Sequence, residues 1–169
     1  ELEELKQQMI DAAVMAAKDE IEFNNRYAEL QKQIVIEITE EESIDYHALE
    51  IKRNAPGFEG AFALDDYGSG YSNEKSLLDL APKYIKVDLS IIRDIDTDPD
   101  KQQIVENIVA YAHKRDMKIV AEGLETPEEI QKVLELEVDL LQGFYLARPE
   151  PVPGNINEDA LKIIAAFYK

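Results

Sequence analysis

"AFALDDYGSGYSN", residues 61–73, joins a short apolar run to two adjacent aspartates, Asp65 and Asp66, and then to a loop with two glycines, Gly68 and Gly70. A short apolar run that ends at a turn signal predicts a buried strand. Two like charges at the end of such a strand repel each other, and removing both from water is costly unless a positive group lies between them. The pair therefore either faces water in a turn or belongs to a site built around a cation.

The bulk composition limits the classes of protein to which the chain can belong. Its 169 residues, 45% hydrophobic and 32% charged, suit one soluble globular domain. With 36 acidic and 18 basic residues, its formal net charge of −18 disfavours binding to DNA, RNA or anionic membranes. The absence of cysteine excludes disulfides and thiolate metal sites and fits the cytoplasm. We expect neither a membrane span nor a signal peptide.

From residue 34 onward, short β-rich runs alternate with longer helical patterns. The predicted strands are IVIEIT (34–39), AFALDD (61–66), YIKVDL (84–89), KIVAEG (118–123) and DLLQG (139–143). The predicted helices lie near 43–53, 73–80, 99–115, 127–137 and 157–168. Repeated βα units predict a parallel sheet with helices outside it. Residues 1–33 are charged and helical in pattern, so we predict a separate helical segment there and a βα domain over 34–169.

Five βα units fit either an open doubly wound sheet or part of an eight-stranded barrel. No glycine-rich phosphate loop follows the first strand, as a dinucleotide-binding sheet would usually show. Polar residues instead recur at the carboxyl ends of the strands, where βα barrels assemble their active sites. These are Glu37, Asp65, Asp66, Lys86, Glu122 and Gln142. A full barrel takes about 250 residues, so the predicted fold class is α/β, an incomplete (β/α) barrel of the TIM type.

Four of these side chains are carboxylates from three different strands, and we expect them to meet at one rim: Glu37, Asp65, Asp66 and Glu122. Oxygen ligands without histidine or cysteine suit Mg²⁺, Mn²⁺ or Ca²⁺. Two such ions are a common apparatus for in-line attack on a phosphodiester. Lys86 adds a positive group able to hold a water or an anionic oxygen. Each residue alone also has a plainer explanation, such as a strand end or a solvated turn, but their shared position favours a site.

Five segments, in order, resemble the signature segments of the EAL-domain family, whose members are bacterial phosphodiesterases that linearise the second messenger cyclic di-GMP to pGpG. The segments are IEITE, ALDDYGSGYSN, YIKVDLSIIRDI, IVAEGLETPEE and LLQGFYLARPEP. They run from about residue 34 to residue 151, and five ordered segments are far more specific than any one of them. The resemblance implies a modified βα barrel, two Mg²⁺ or Mn²⁺ ions, and cyclic di-GMP as the substrate. An unrelated βα enzyme with a carboxylate site would require five coincidences.

The resemblance also implies roles for individual positions. Metal binding falls to Glu37, Asp65, Asp66 and Glu122, with Asp66 chiefly at the second ion. Catalysis falls to Lys86, which positions the attacking water, together with Asp66 and Glu122. Supporting roles in organising water, metal or loops fall to Glu40, Glu125 and Gln142, with Gly68 and Gly70 letting the loop after the aspartates bend. No substrate-binding residue is assigned.

Two signatures of the family have no counterpart here. The Glu-Ala-Leu segment of the first barrel strand is absent, and Asn24 and Asn25 lie in a charged, strandless context unlike that of the family's metal-binding asparagine. Two hypotheses follow: the chain is the C-terminal portion of an active phosphodiesterase domain, or it is a non-catalytic module that binds cyclic di-GMP or a protein partner. The resemblance further implies a homodimer and fusion to, or regulation by, a sensor or diguanylate cyclase-type domain.

Overall fold

The computed structural model describes residues 34–39, 60–69, 74–152 and 154–168, together with ten isolated positions before residue 55. Backbone contacts divide the chain into two compact units, one of residues 1–35 and 47–61 and the other of residues 36–46 and 62–169. In the first unit the isolated positions up to residue 26 are helical. None of the helices in the described part of the chain has the length and apolar character needed to cross a membrane.

The described sheet has five strands, and neighbours in the sheet are also neighbours along the chain. They are β1 (Val35–Ile38), β2 (Ala61–Tyr67), β3 (Tyr84–Val87), β4 (Lys118–Ala121) and β5 (Leu140–Leu141), in the order β1-β2-β3-β4-β5. The pairings from β2 through to β5 are parallel. An open doubly wound sheet reverses its strand order at a switch point, whereas a βα barrel adds each strand beside the last. The observed order is that of a barrel.

Five described helices follow the strands, and all but the second begin close to where the sequence predicts a helix. They are α1 (Glu74–Leu80), α2 (Leu89–Ile92), α3 (Pro99–His113), α4 (Pro127–Glu135) and α5 (Glu158–Phe167). Asp98 caps α3, since its side chain accepts hydrogen bonds from the Asp100 and Lys101 amides, and a proline fills the first helical position. Most of the helix predicted near 43–53 lies outside the described residues, although positions 50, 51 and 53 are helical.

The sequence prediction made β3 too long. The strand YIKVDL was expected to reach residue 89, but it ends at Val87 and Leu89 begins the short helix α2. Asp88 explains the change, because its side chain accepts a hydrogen bond of 2.9 Å from the Ser90 amide and so caps the helix. The strands predicted over 118–123 and 139–143 are also shorter, so Glu122 and Gln142 lie just beyond their ends.

The hydrophobic core lies between the sheet and the helices that cover it. β3 is buried along nearly its whole length, and Phe62, Ala63 and Leu64 are buried in succession in β2. Continuous burial of this kind is typical of parallel strands covered on their faces. The helices contribute Val105, Ile108, Val109 and Ala112 from α3 and Ile130, Val133 and Leu134 from α4. This packing fixes the strands whose carboxyl ends carry the polar residues.

Candidate functional site

Lys86 is the centre of a cluster of charged side chains from four successive strands or strand ends. Its Nζ lies 2.7 Å from Asp65 Oδ1, 2.9 Å from Glu122 Oε1 and 3.0 Å from Glu37 Oε1. The lysine is only 8% exposed, and the side chains of Asp65 and Glu122 are largely buried, whereas that of Glu37 is half exposed. The parallel register places these residues side by side, since β3 pairs with both β2 and β4.

The charges in this cluster perturb each other. Burial acts to lower the pKa of Lys86, but close contacts with Asp65, Glu122 and Glu37 outweigh it and raise that pKa above its ordinary value. Burial raises the pKa of Glu122, opposed by Lys86 and reinforced by the nearby charges of Asp65 and Glu37. Lys86 therefore stays positively charged. A further positive charge nearby would stabilise the ionised form of Glu122.

A β-bulge brings both aspartates of the opening stretch to the site. Leu64 pairs with Ile85 and Tyr67 pairs with Val87, so β2 has one more residue than β3 between these pairs. Asp66 adopts the left-handed conformation, with φ of 53°, which aspartate tolerates better than most residues. Adjacent residues of a regular strand point to opposite faces, and the bulge removes that constraint.

Asp65, Asp66 and Glu122 have the geometry and chemistry to hold a hard cation. One carboxylate oxygen from each lies within 4.8 Å of the other two. Asp65 Oδ1 is buried and accepts no hydrogen bond of normal geometry, although the Lys86 ammonium is 2.7 Å away. Oxygen-only donors of this kind fit Mg²⁺, Mn²⁺ or Ca²⁺. The residues present therefore fit a divalent ion.

Glu125 and Gln142 line a pocket of about 430 Å³, together with Gly123, the residue that follows Glu122. The Arg93 guanidinium binds both carboxylate oxygens of Glu125, at 2.7 Å for Nη2 to Oε1 and closer still for Nη1 to Oε2. Arg93, through its hydrogen bond, lowers the pKa of Glu125. Gln142 is held by its backbone, which bonds to Ala121 O at 2.9 Å and to Leu124 N at 3.1 Å. Phe144 and Arg148 complete the polar and aromatic part of the wall.

Two glycines near the site, Gly68 and Gly143, lie where a side chain would not fit. Gly68 has φ of 102°, and a Cβ there would lie 2.1 Å from Ile91 Cδ1, so the turn after the aspartates requires glycine. Gly143, which the sequence did not single out, packs directly on Leu124, because a Cβ there would lie 2.2 Å from the Leu124 carbonyl oxygen. Gly70 and Glu40 lie outside the described residues.

Sequence reasoning missed Arg93, Glu129 and Arg148. Glu129 is 1% exposed and forms a capping box with Thr126, a pattern that Thr-x-x-Glu before an apolar run predicts. Arg93 lies within the segment YIKVDLSIIRDI but has no local signal, because its partner Glu125 is 32 residues away. Arg148 stacks on Phe144, with Cζ 4.8 Å from the ring centre. Only Glu129 therefore had a signal in the sequence, and that signal predicts its helix cap.

The fold and the site together define a βα-barrel-type domain with carboxylates and a lysine at the carboxyl ends of its strands. The EAL domain family model matches residues 6–149, and the chain belongs to that family. It is 32% identical over 131 residues to the probable cyclic di-GMP phosphodiesterase PdeG of Escherichia coli K12, covering 76% of this chain and 26% of PdeG. It is 44% identical over 94 residues to the cyclic di-GMP phosphodiesterase PdeL of the same organism, covering 56% of this chain and 25% of PdeL.

Solved structures agree with the fold. A standalone EAL protein from Vibrio cholerae O395 in its cyclic di-GMP bound form matches with a TM-score of 0.72 and 29% identity, over 83% of this chain and 61% of that one. BlrP1 of Klebsiella pneumoniae, in a complex with manganese and cyclic di-GMP, matches with a TM-score of 0.65 and 34% identity, over 70% and 31% of the two chains. Among the curated relatives, the matched region spans only about a quarter of the length of PdeG and of PdeL.

Proposed function

We propose that this chain provides the metal and lysine site of a phosphodiesterase domain that hydrolyses cyclic di-GMP to linear pGpG in second-messenger signalling. The observation that carries the proposal is the arrangement around Lys86 in a member of the EAL family. Glu37, Asp65 and Glu122 surround the ammonium within 3.0 Å, and Asp66 lies beside two of them. Curated relatives and solved structures named for cyclic di-GMP support the choice of substrate.

Asp65, Asp66, Glu122 and Glu37 would hold the two divalent ions of this proposal. When bound, such ions would act as Lewis acids that polarise phosphate oxygens, activate a water and neutralise the negative charge that develops on the oxygens of the phosphoryl group. We propose Mg²⁺ or Mn²⁺ because all the donors are carboxylate oxygens and because a relative forms a manganese complex.

Lys86 acts in this proposal as a hydrogen-bond donor and not as a general base. Its raised pKa keeps it protonated at neutral pH, and an ammonium group has no lone pair to accept a proton. Three carboxylates hold its Nζ in place, so it needs little rearrangement to orient a water or an anionic phosphate oxygen. Positive charge at this point also offsets the repulsion between an acidic protein and an anionic substrate.

Hydrolysis of cyclic di-GMP with Mg²⁺ or Mn²⁺, followed by chromatographic separation of pGpG, tests the proposal. We expect Asp65→Asn and Lys86→Ala each to lower kcat/KM at least about 100-fold, as removal of one preorganised electrostatic group does elsewhere. Asp100→Asn, an exposed aspartate in the first turn of α3, is the matched control and should leave the rate unchanged. Unchanged turnover in both site variants would refute the proposal.

A second candidate is a non-catalytic receptor or regulatory module that binds cyclic di-GMP or a protein partner. The observation in its favour is that the similar solved structures are named for complexes with cyclic di-GMP, which is evidence of binding and not of turnover. Isothermal titration with cyclic di-GMP in the presence of Ca²⁺, paired with the hydrolysis assay, separates the two. Binding without turnover in Mg²⁺ or Mn²⁺ supports the receptor, and turnover supports the enzyme.

We also propose that the protein acts as a homodimer in the cytoplasm and is fused to, or regulated by, a sensor or diguanylate cyclase-type domain. β1 and β5 each end the described sheet, and strand edges favour pairing or coverage by another segment. The greater length of the curated relatives leaves room for further domains. Sedimentation equilibrium of the chain tests the dimer, which a monomer at all concentrations would contradict.

A further inference from the structure

Glu129 is a buried carboxylate whose hydrogen bonds exceed the needs of a helix cap. Its Oε2 accepts a hydrogen bond of 3.1 Å from the Thr126 amide, which belongs to the capping box. The same oxygen accepts a further hydrogen bond of 2.8 Å from the Glu125 amide. Its Oε1 accepts a hydrogen bond of 3.0 Å from the amide of Asp94, 35 residues away. A helix cap alone would leave this second oxygen to water. In this protein Oε1 instead binds the backbone of another loop.

The two loops that Glu129 joins both border the candidate site. One loop, residues 122–126, follows β4 and carries Glu122 and Glu125. The other, residues 93–98, follows α2 and begins with Arg93, while Asp94 takes the left-handed conformation with φ of 58°. Arg93 and Glu125 then meet in a bidentate ion pair that lines the pocket of about 430 Å³.

We propose that Glu129 is a positioning residue, whose carboxylate bridges loops 93–98 and 122–126 and thereby sets the Arg93 and Glu125 side chains for substrate binding. This inference rests on the proposed function for its link to cyclic di-GMP. Glu122 is less dependent on the bridge, because its amide bonds to the Val87 carbonyl at 3.2 Å as an extension of the sheet. Loss of the bridge should therefore affect the pocket more than the Lys86 cluster.

Glu129→Gln is the sharpest variant, because it separates the cap from the bridge. Glutamine at this position of a capping box still accepts from the Thr126 amide through its one oxygen. Its amino group would then face the Asp94 amide, and two donors cannot bond to each other. Glu128→Gln is the matched control, since it removes the same charge from an exposed position in the same helical turn.

Amide hydrogen exchange followed by NMR tests the bridge without any ligand. We expect exchange at Asp94 to be at least about tenfold faster in Glu129→Gln than in the unaltered chain or in Glu128→Gln, because a lost bond permits local opening. Exchange within β3 and β4 should be unchanged. Unchanged exchange at Asp94 would overturn the positioning role whatever the enzyme assay shows.

Steady-state kinetics tests the link to the substrate. We expect Glu129→Gln to raise KM for cyclic di-GMP about tenfold and to change kcat less than about twofold, the pattern of lost binding in ground and transition states alike. Arg93→Gln should reproduce the rise in KM without faster exchange at Asp94. A residue that served stability alone would lower the melting temperature and leave KM unchanged.

The outcomes distinguish this inference from the proposed function. No hydrolysis by the unaltered chain counts against the proposed function, while the exchange measurement still decides whether Glu129 forms the bridge. Faster exchange with an unchanged KM overturns the link to substrate binding alone. If Glu129→Gln does not fold, Arg93→Gln decides that link, because the Arg93 side chain is 36% exposed and we expect its replacement to leave the fold intact. An unchanged KM there overturns the inference, and a raised KM supports it.

Discussion

Lys86 shows how one residue organises the site. Glu37, Asp65 and Glu122 lie within 3.0 Å of a single ammonium group, and Asp66 lies beside two of these carboxylates. The cluster therefore retains excess negative charge when all four carboxylates are ionised. The raised pKa of Glu122, due first to burial, reflects that imbalance in part. An excess of carboxylate oxygens over cations is the physical reason for expecting divalent ions here.

Replacing Lys86 by methionine tests this charge balance. Without divalent ions, we expect Lys86→Met to lower the free energy of unfolding by about 1–3 kcal/mol, because the carboxylates lose their counter-charge. The figure lies below that for a fully buried pair because Glu37 is half exposed and screened by water. Urea unfolding in EDTA measures the loss.

Manganese and a surface lysine provide the controls for that variant. Mn²⁺ should recover most of the lost stability, because it replaces the missing positive charge. Lys114→Met, at the exposed end of α3, should change stability by less than about 0.5 kcal/mol. Equal stability of the unaltered chain and Lys86→Met in EDTA would contradict this account of the cluster.

The residues of the site differ in how visible they are from the sequence. The carboxylates expected to converge beside Lys86 at the carboxyl ends of parallel strands were Glu37, Asp65, Asp66 and Glu122. The structure places three of them against Lys86 and Asp66 beside two of the three. Their catalytic and metal-binding roles stay predictions. Arg93 and the bridge from Glu129 to Asp94 were not foreseen, because both depend on contacts across more than 30 residues, and local spacing carries no signal for them.

At the scale of elements, Asp139 joins the end of α3 to the starts of β4 and β5. Its carboxylate lies 2.6 Å from Lys118 Nζ and 3.0 Å from His113 Nε2, and it accepts a hydrogen bond of 2.9 Å from the Ile119 amide. Burial acts to raise the pKa of Asp139, but these contacts together lower it below its ordinary value. This cluster lies at the amino ends of the strands. In βα barrels, residues at that end typically serve stability, whereas the active site lies at the other end.

Asp139→Asn should destabilise the protein in a pH-dependent way. A carboxyl group with a lowered pKa in the folded state stabilises it above the unfolded pKa, ordinarily 3.8, and loses that effect as pH falls through the folded pKa. We expect a loss of about 1–2 kcal/mol at pH 7. The difference from the unaltered chain should shrink below about pH 4.

Urea unfolding between pH 7 and pH 3 measures that difference. Asp116→Asn is the control, since Asp116 is exposed, lies two residues before Lys118, and has a left-handed backbone that asparagine also tolerates. It should be neutral at both pH values. A destabilisation by Asp139→Asn that stayed constant down to pH 3 would show that the ion pairs are not its cause.

The order and type of the described elements follow from the sequence, but two local features do not. The βα alternation and the prolines at the starts of α3 and α4 predicted these helices and the strands around them. Helix α2 was missed because LSII has the apolar character of a strand, and only Asp88 as a cap marks the change. The bulge at Asp66 was missed because it depends on the register between β2 and β3.

At the scale of the whole molecule, the net charge of −18 acts against the compact state. Self-repulsion among 36 acidic residues exceeds the attraction that 18 basic residues provide. Salt screens this repulsion over about 10 Å at 0.1 M. The surface ion pairs that salt also weakens contribute little each. The stability of the protein should therefore rise with ionic strength.

Thermal unfolding at two salt concentrations tests whether stability rises with ionic strength. In EDTA, we expect the melting temperature to rise by about 2–5 °C between roughly 10 mM and 500 mM NaCl, since screening relieves repulsion. The rise should persist in Asp139→Asn, because the effect belongs to the whole surface. A fall in melting temperature would mean that ion pairs outweigh the net repulsion.

If the carboxylates around Lys86 form a divalent-cation site, the protein binds Mn²⁺, and electron paramagnetic resonance of Mn²⁺ measures that binding. As the chain is titrated into Mn²⁺, we predict loss of the free-ion signal in the unaltered protein, and a weakening of binding by at least about tenfold in Asp65→Asn. Asp100→Asn should bind as the unaltered chain does. Equal Mn²⁺ binding by the unaltered chain and Asp65→Asn, or no binding by either, would show that these carboxylates do not form a divalent-cation site.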